Sequence, residues 1–288
     1  MTPVVRSTLG PSSLSTVRKA VIEQPLRSLW QMLTWRLTRY RERLPDFLCL
    51  GAQKSGTTTL HELLSRHPGV YLPPCKEVQY FTLESNQDTR WYSAHFQMAN
   101  ANQSCGEITP YYLFHPDAPR RIHTLLPDAK LIVLLRDPVE RALSGYFHSV
   151  RHGFESLSLE EAFDCENKRL AGAADILFNP GGRHDSHQHH SYLSRSRYEL
   201  QIGLYRQFFD QSQMLLIRSE DLFQNTDSVW SRVLDFLGLP PCPLPSEVPC
   251  ANQGAGELVS VDPRFRQRLR TQLDPTYRAL MIDHGIRW

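Results

Sequence analysis

The sequence predicts an α/β fold in which helices cover both faces of a central parallel sheet, and three apolar runs lead to this prediction. Phe47 to Leu50 is a short run that ends in a glycine-rich loop, and a helical pattern of leucines follows it. Leu131 to Leu135 and Met214 to Ile217 are unbroken apolar runs, which are typical of parallel strands buried on both faces. Strands that are separated by helical patterns indicate a layered α/β domain.

Length and composition are those of a globular protein. The chain has 288 residues, of which 41% are hydrophobic and 22% are charged, so it can form one large domain with or without appendages. Residues 1–43 hold eight basic and two acidic groups, which leaves residues 44–288 with a net charge of −4. This charge argues against non-specific binding of nucleic acid by the main domain, residues 44–288.

The N-terminal segment, residues 1–43, contains one helical pattern. Apolar side chains recur at helical spacing opposite a face of arginines, at Leu26, Leu29, Trp30, Leu33, Leu37 and Tyr40. Such a basic amphipathic helix either packs on the main domain or lies on an anionic membrane, which residues 25–43 would contact peripherally. Because the sequence shows no run of eighteen apolar residues and no signal-peptide core, we expect no membrane span and a cytoplasmic protein.

Cysteine and histidine spacing matches no metal motif. The six cysteines include no C-x-x-C pair, which excludes a zinc ribbon. Cys242 and Cys250 flank a proline-rich loop, and they either form a disulfide or stay reduced. Residues 171–196 read as a long polar loop, which contains His184, His187, His189 and His190. Few carboxylates accompany these histidines, so the pattern favours a mobile loop over a cleft, and we expect no metal.

The loop after the first strand, Gly51-Ala-Gln-Lys-Ser-Gly56, has the features of an anion-binding loop. Its glycines let the backbone approach a phosphate, the helix that begins at Thr57 offers N–H groups and a positive dipole end, and Lys54 adds a full charge. A Walker A motif needs Gly-x-x-x-x-Gly-Lys-Ser/Thr, and here Thr57 stands where the lysine belongs. The loop is therefore either a variant anion site or an ordinary turn with a solvated lysine.

A second candidate anion site follows the strand that ends at Leu135. The chain continues as Arg136-Asp-Pro, and Pro138 suits the first turn of a helix. Ser144 and His148 then fall on one face of that helix. Arg136 at the strand end and Ser144 nearby could hold a phosphate, with the guanidinium in bidentate contact.

In this order the two motifs resemble those of the sulfotransferases that use 3′-phosphoadenosine 5′-phosphosulfate (PAPS) as donor, above all the heparan sulfate-type and bacterial carbohydrate enzymes. Lys54-Ser-Gly-Thr-Thr-Thr59 is similar to their 5′-phosphosulfate loop, and Arg136 with Ser144 is similar to their 3′-phosphate site. The resemblance covers residues 44–288 and implies a catalytic domain with a P-loop-like, three-layer α/β fold and no metal. It implies donor contacts from Lys54, Ser55, Gly56, Thr57, Thr58, Arg136, Ser144 and Tyr198.

A glutamate lies between a double proline and an apolar cluster, in Pro73-Pro-Cys-Lys-Glu-Val-Gln-Tyr-Phe81. A partly desolvated glutamate is a good general base because burial raises its pKa, although Lys76 and Glu77 read alone could be a surface pair. The stretch is similar to the family's Lys/Asn-Glu-x-x-Phe-Phe, which implies that Glu77 is the catalytic base. The resemblance also implies that Lys54 stabilises the leaving group. It implies further that His148 orients the acceptor, although a lone histidine could equally be a packed surface residue.

The resemblance implies acceptor contacts for Lys76, Trp91 and Tyr92. Lys76 belongs to the stretch with Glu77, and the other two belong to a Trp-Tyr segment similar to the family's. The sequence departs from the family at two places. Ile108 replaces a lysine that some relatives direct at the acceptor, which argues against a highly anionic polysaccharide. Asn252-Gln-Gly-Ala-Gly256 replaces a Lys-Gly-Arg-like cluster that closes over the donor in the family.

The reaction that this resemblance implies is in-line transfer of a sulfuryl group from PAPS to a hydroxyl or amine, with a carbohydrate as the favoured acceptor. Two alternatives stay open. In a P-loop kinase, Asp137 would act as a Walker B acid that holds Mg²⁺. In a nucleotide-binding protein without turnover, the fold and the loop would remain while catalysis is lost.

Overall fold

Five strands form one sheet in the computed structural model, which describes residues 42–245 and 257–288. The strands are β1 (Phe47–Gly51), β2 (Val70–Tyr71), β3 (Ser104–Ile108), β4 (Lys130–Leu135) and β5 (Met214–Arg218). Their order across the sheet is β2-β3-β1-β4-β5, and every neighbouring pair is parallel. The prediction of a central parallel sheet is confirmed.

Helices connect the strands and cover the sheet, because parallel neighbours can be joined only by crossovers. Within the described ranges the α-helices are α1 (Thr57–Ser65), α2 (Thr89–Ala94), α3 (Ala118–Leu125), α4 (Pro138–Arg151), α5 (Leu159–Asp164), α6 (Glu166–Leu170), α7 (Ala173–Leu177), α8 (Asp185–His189), α9 (Tyr198–Tyr205), α10 (Ser219–Gln224), α11 (Thr226–Leu237), α12 (Pro263–Gln272) and α13 (Asp274–His284). Short 3₁₀ segments lie at Ser194–Ser196, Gln211–Gln213 and Glu257–Ser260.

The two faces of the sheet bury different apolar clusters. Along β4, Leu131, Val133 and Leu135 belong to one cluster, and Ile132 and Leu134 belong to the other. All five side chains are fully buried. Successive side chains of a strand point to opposite faces, so an unbroken apolar run means that both faces are covered. The result is the three-layer arrangement that the sequence predicts.

The order of the strands places a crevice between β1 and β4. From β1 the chain moves to β2 and β3 on one side, whereas from β4 it moves to β5 on the other side. β1 and β4 are neighbours, paired from Phe47 opposite Lys130 to Gly51 opposite Val133. In open parallel sheets, ligands bind at the carboxyl ends of two such strands. The loops that follow β1 and β4 are therefore the candidate site.

Two helices that the sequence predicts as continuous are broken. Apolar side chains at helical spacing predict one helix over residues 158–170, but the chain forms α5 and α6 with a break at Cys165. The buried carboxylate of Glu166 accepts two backbone N–H bonds from the chain before α9. The sequence predicts one final helix with a basic face over residues 263–282, but the chain forms α12 and α13 instead. Pro275 in the first turn of α13 has no N–H and would clash with a continuing helix, so the chain restarts there.

Residues 171–196 are folded into short helices, and the prediction of one long polar loop is wrong. The ring of His187 is buried and stacks on that of Phe114, with 4.1 Å between centroids. The hydroxyl of Tyr111 lies 2.8 Å from Nδ1 of the same histidine. This aromatic packing orders the segment, and nothing in the local sequence pattern reveals it. The sequence also predicts a helix that begins at Ser191 and runs through Leu200, Leu204 and Phe208, but this helix begins only at Tyr198.

Several predictions concern residues outside the described ranges. These are the helix over residues 25–43, of which all but the last two residues are outside, the loop over residues 252–256, and the pairing of Cys250 with Cys242. They stay predictions, as does the division of the chain at residue 43. Within the described ranges, no helix combines the length and the apolar character needed to cross a bilayer.

Candidate active site

The loop after β1 presents the start of α1 at the carboxyl edge of the sheet. Gly56 is the N-cap residue of α1 and has φ 90°, a left-handed conformation that glycine adopts without strain. The first backbone N–H groups of a helix have no acceptor within it, and the first turn of α1 contains no acidic side chain. The partial positive charge at this helix start is therefore suited to an anionic ligand.

Three arginines hold this loop, which we call the anion loop (residues 52–56). Arg136 Nη1 donates to the Lys54 carbonyl at 3.4 Å, and Arg141 Nε donates to the Gln53 carbonyl at 3.3 Å. Arg195 Nη1 donates to Oε1 of Gln53 at 3.0 Å. Lys54 has φ 72°, a conformation that costs a non-glycine residue about 1–3 kcal/mol. The arginines therefore stabilise a backbone conformation that is unfavourable by itself, and they bring the two predicted anion motifs together.

Positive charge is concentrated around Lys54. Burial lowers the pKa of Lys54, and four nearby cations lower it further, namely Arg151, Arg136, Arg141 and Lys76. Both causes disfavour the protonated amine. A bound anion would offset this repulsion, so the charge distribution favours a ligand with one or more negative groups.

Burial divides the predicted donor contacts into two groups. Buried side chains belong to Ser55, Thr57 and Ser144, whereas half-buried ones belong to Lys54, Thr58 and Arg136. The N–H of Ser55 donates to the Ala52 carbonyl at 3.2 Å. This bond closes the loop, so the backbone N–H of Ser55 is not directed at a ligand. The half-buried group and the helix start remain the accessible part of the loop.

The turn that begins α4 is held from both sides. Asp137 Oδ1 accepts the Glu140 N–H at 3.0 Å, and Asp137 Oδ2 accepts the Tyr277 hydroxyl at 2.8 Å. The N–H of Asp137 donates to Glu220 Oε1 at 3.0 Å. Oδ1 of Asp137 thus caps α4 while Oδ2 is bound to Tyr277, and these bonds fix the direction in which Arg136 leaves the strand. The arrangement does not support the Walker B role that a kinase would need.

The segment that carries Glu77 is strained and lies beside α1. Glu77 and Gln79 both have φ 62°, which is uncommon for residues other than glycine. Lys76 Nζ donates to Thr58 Oγ1 at 2.6 Å, which ties this segment to the first turn of α1. Burial raises the pKa of Glu77, whereas the charges of Lys76 and Arg195 lower it. A carboxylate that reaches solvent but is partly desolvated has the properties of a general base.

His148 is neutral at physiological pH. Burial lowers its pKa to about 4, and the charges of Lys54 and Arg195 are among those that act in the same direction. Its ring lies 4.1 Å from that of His152, and His148 lines the same small recess as Gln53 of the anion loop. A neutral imidazole in this position can donate or accept a hydrogen bond but adds no charge.

Two predicted contact residues are not at the surface of the site. Tyr92 is fully buried and its hydroxyl donates to Glu107, so the predicted substrate contact of Tyr92 is wrong. Tyr198 is also fully buried, and its hydroxyl donates to the Arg136 carbonyl at 3.1 Å. This hydrogen bond fixes the main chain of Arg136 at the end of β4. A buried Tyr198 can therefore position Arg136, whereas the predicted direct contact with the donor is not available to its ring. Trp91, at the helical position next to Tyr92, is half-buried.

Arg195 is a residue of the site that sequence reasoning did not single out. It is 5% exposed and reaches the anion loop through Gln53, which lies 142 positions earlier in the chain. No local signal in the stretch from Ser191 to Tyr198 identifies so distant a partner. Within the described ranges, no three histidine, cysteine or acidic side chains converge as a metal site would require.

The chain is similar to two curated proteins over about two thirds of its length. One is the membrane-associated sulfotransferase kil1 of Dictyostelium discoideum, at 29% identity over 68% of this chain and 56% of that protein. The other is heparan sulfate glucosamine 3-O-sulfotransferase 6 of Homo sapiens, at 30% identity over 69% of this chain and 54% of that protein. The chain thus spans about half the length of these relatives.

Solved structures show the same fold. A sulfotransferase from Alicyclobacillus acidocaldarius superposes with a TM-score of 0.70 at 26% identity, over 85% of this chain and 98% of that chain. Mouse sulfotransferase SULT7A1, solved in complex with PAP, gives a TM-score of 0.52 at 14% identity, over 85% of this chain and 86% of that chain. The second likeness bears on the fold alone.

The expectation of a cytoplasmic protein is contradicted by these comparisons. The Dictyostelium discoideum relative is by its name membrane-associated, and none of the relatives named above supports a cytoplasmic location. The expectation rested on the lack of an apolar span and of a signal-peptide core, and neither feature decides where a protein resides.

The family model for the sulfotransferase domain matches residues 44–248, which include the anion loop, the Glu77 segment and the turn after β4. This match covers more than half of the chain and coincides with the crevice between β1 and β4. The three-layer fold with its parallel sheet agrees with the match. The chain belongs to the sulfotransferase family.

Proposed function

We propose that this protein is an enzyme that transfers a sulfuryl group from PAPS to a hydroxyl or amine of an acceptor, which is a carbohydrate. One observation carries the proposal: Lys54 lies half-buried among four further cations at the start of α1, in a charge distribution that an anionic donor would compensate. PAPS carries a phosphosulfate at one end and a 3′-phosphate at the other. The anion loop and Arg136, joined by a 3.4 Å hydrogen bond, offer two adjacent anion sites.

The chemistry follows from these positions. Glu77 takes the proton of the acceptor hydroxyl as the new O–S bond forms. The bond between sulfur and the bridging oxygen of the donor breaks, and Lys54 stabilises the negative charge that grows on that oxygen as 3′-phosphoadenosine 5′-phosphate (PAP) leaves. Arg136 and Ser144 hold the 3′-phosphate, while Lys76 and Thr58 border the transfer centre and neutral His148 orients the acceptor. As in phosphoryl transfer, positioning and charge neutralisation supply most of the rate.

One observation favours a carbohydrate acceptor, and a second one bears on the charge of that acceptor. The relative from Homo sapiens acts, by its name, on glucosamine of heparan sulfate. Ile108, where some relatives have a lysine, is buried in the core and adds no positive charge to the cleft. We therefore propose a glycan that is less anionic than heparan sulfate. Trp91 is half-buried and belongs to the predicted Trp-Tyr segment, so it is a candidate for contact with the sugar.

Transfer of ³⁵S-labelled sulfate from PAPS to a panel of glycans, lipids, phenols and amines tests the proposal. We expect labelled glycans with the native protein, and a loss of about 10²–10⁴-fold in turnover with Glu77→Gln while PAP binding is kept. Glu84→Gln, which removes a surface carboxylate paired with Arg183, is the matched control and should keep full turnover. Turnover of the Glu77 variant at the native rate would remove Glu77 as the base. Labelling of phenols alone would remove the carbohydrate assignment.

A further inference from the structure

Arg195 is a buried cation that has no acidic partner within ion-pair distance in the described ranges. Only 5% of the residue is exposed, and its acceptors outside the anion loop are neutral oxygens close to it in the chain. These are Ser191 Oγ at 2.7 Å, the His187 carbonyl at 2.9 Å and the Gln188 carbonyl at 2.8 Å. The guanidinium also lies 5.0 Å from the ring centroids of Tyr111 and Phe114. These contacts fix the position of the group without neutralising its charge.

One bond of Arg195 leaves this local environment and reaches the anion loop. It runs from Nη1 to Oε1 of Gln53 over 3.0 Å and joins positions 142 residues apart. The carbonyl of Gln53 is held at the same time by Nε of Arg141, a residue that is 1% exposed. Gln53, the residue directly before Lys54, is therefore held at two points. Arg195 binds its side chain and Arg141 binds its main-chain carbonyl, and both guanidinium groups are buried.

We propose that Arg195 is a positioning residue for the anion loop: through Gln53 it holds Lys54 in the left-handed conformation in which the loop binds the donor. The proposal rests on the proposed function in naming that donor. A non-glycine residue at φ 72° persists only where surrounding contacts fix it. Without the bond from Arg195 the loop relaxes, the N–H groups at the start of α1 lose their common direction, and Lys54 leaves the transfer centre.

Binding of PAP to single and double variants tests this role by calorimetry. Gln53→Leu and Arg195→Met each remove the same bond, so each should weaken PAP binding by about 10- to 100-fold. The double variant should bind no more weakly than the weaker-binding single variant, because two changes that act through one bond are not additive. Arg169→Gln is the matched control. It breaks an arginine pair with Glu155 away from the loop and should lower the melting temperature but keep PAP affinity.

Hydrogen exchange of the ligand-free protein gives a second measurement that needs no donor. The backbone amides of Ala52 and Ser55, which donate to the carbonyls of Leu134 and Ala52, should exchange about tenfold faster or more in Gln53→Leu and Arg195→Met, and at the native rate in Arg169→Gln. Gln53→Glu keeps an acceptor oxygen for Arg195 and should retain native protection of the loop, although its added charge weakens PAP binding. If Arg195 acted only on the stability of the fold and not through Gln53, Gln53→Leu would also retain native protection of the loop. If Arg195→Met does not fold, Gln53→Leu decides, because Gln53 is half-buried on a loop.

The two measurements separate this proposal from the proposed function. If the native protein fails to bind PAP while the loop amides respond to both variants, the donor assignment is wrong and the role of Arg195 stands. If the native protein binds PAP and the variants bind it equally well with unchanged exchange, Arg195 is not a positioning residue. The role would also be overturned if the losses of PAP affinity in the two single variants multiplied in the double variant. If the native protein does not bind PAP, unchanged amide exchange in Gln53→Leu and Arg195→Met would overturn it as well.

Discussion

Replacement of Arg136 by alanine tests the 3′-phosphate site directly. The guanidinium leaves the carboxyl end of β4 and, among the residues that the structure describes, makes one long hydrogen bond, from Nη1 to the Lys54 carbonyl at 3.4 Å. A bond of this length holds the group only weakly, and a guanidinium has five N–H donors in a fork that fits a phosphate. Most of its binding capacity is therefore available to a ligand.

The expected magnitude follows from the charge of that contact. A hydrogen bond to a charged group contributes about 1.5–3 kcal/mol, which corresponds to about 10- to 150-fold in Kd. Arg136→Ala should weaken PAP binding by this factor. It should hardly change binding of adenosine 5′-phosphate, which lacks the 3′-phosphate. The preference of the native protein for PAP should therefore disappear in the variant.

Calorimetric titration of both nucleotides into both proteins measures this preference. Arg218→Ala is the matched control, because Arg218 ends the neighbouring strand opposite Leu135 but lies 3.8 Å from Asp221 in an ion pair. This control should keep the native preference for PAP. Equal losses for the two nucleotides in Arg136→Ala, or a preference that survives, would refute the assignment of Arg136.

Three further outcomes are expected. Burial raises the pKa of Glu77 and the charge of Arg195 lowers it. Arg195→Met at saturating PAP should therefore raise this pKa and move the acid limb of the pH–rate profile to higher pH. An acid limb at the native pH would contradict this coupling. His148→Asn should reduce turnover without changing the profile near pH 6.5, because the native ring, with a pKa of about 4, is already neutral there; a limb near pH 6.5 that vanishes with the ring would show otherwise. Burial raises the pKa of Glu155, but the ion pair with Arg169 and the backbone hydrogen bonds outweigh it and lower the pKa from 4.5 to about 2. The ionised carboxylate therefore stabilises the fold above pH 4.5, and this contribution is lost as pH falls toward 2. Glu155→Gln should accordingly lower the melting temperature at pH 7, and the difference from the native protein should shrink through that window.

Local signals in the sequence were sufficient to predict the elements of the proposed donor site. The glycines and the lysine of the anion loop lie within six positions, and Arg136 directly follows an unbroken apolar strand. Turn conformation, charge and the start of a helix are each set by neighbours a few residues away, so a single chain reveals them. The position of Glu77 beside two prolines and an apolar cluster belongs to the same class of signal.

Only the tertiary structure decided which side chains meet. Trp91 and Tyr92 are alike as aromatic neighbours in the sequence, yet Tyr92 is fully buried against Glu107 and only Trp91 reaches the surface. Arg195 and Gln53 are joined across 142 positions. Such pairs depend on how the helices pack on the sheet, and packing between distant positions leaves no periodic trace along one sequence. Residue types and local turns could therefore be assigned from the chain alone, whereas burial and long-range contacts had to come from the folded arrangement.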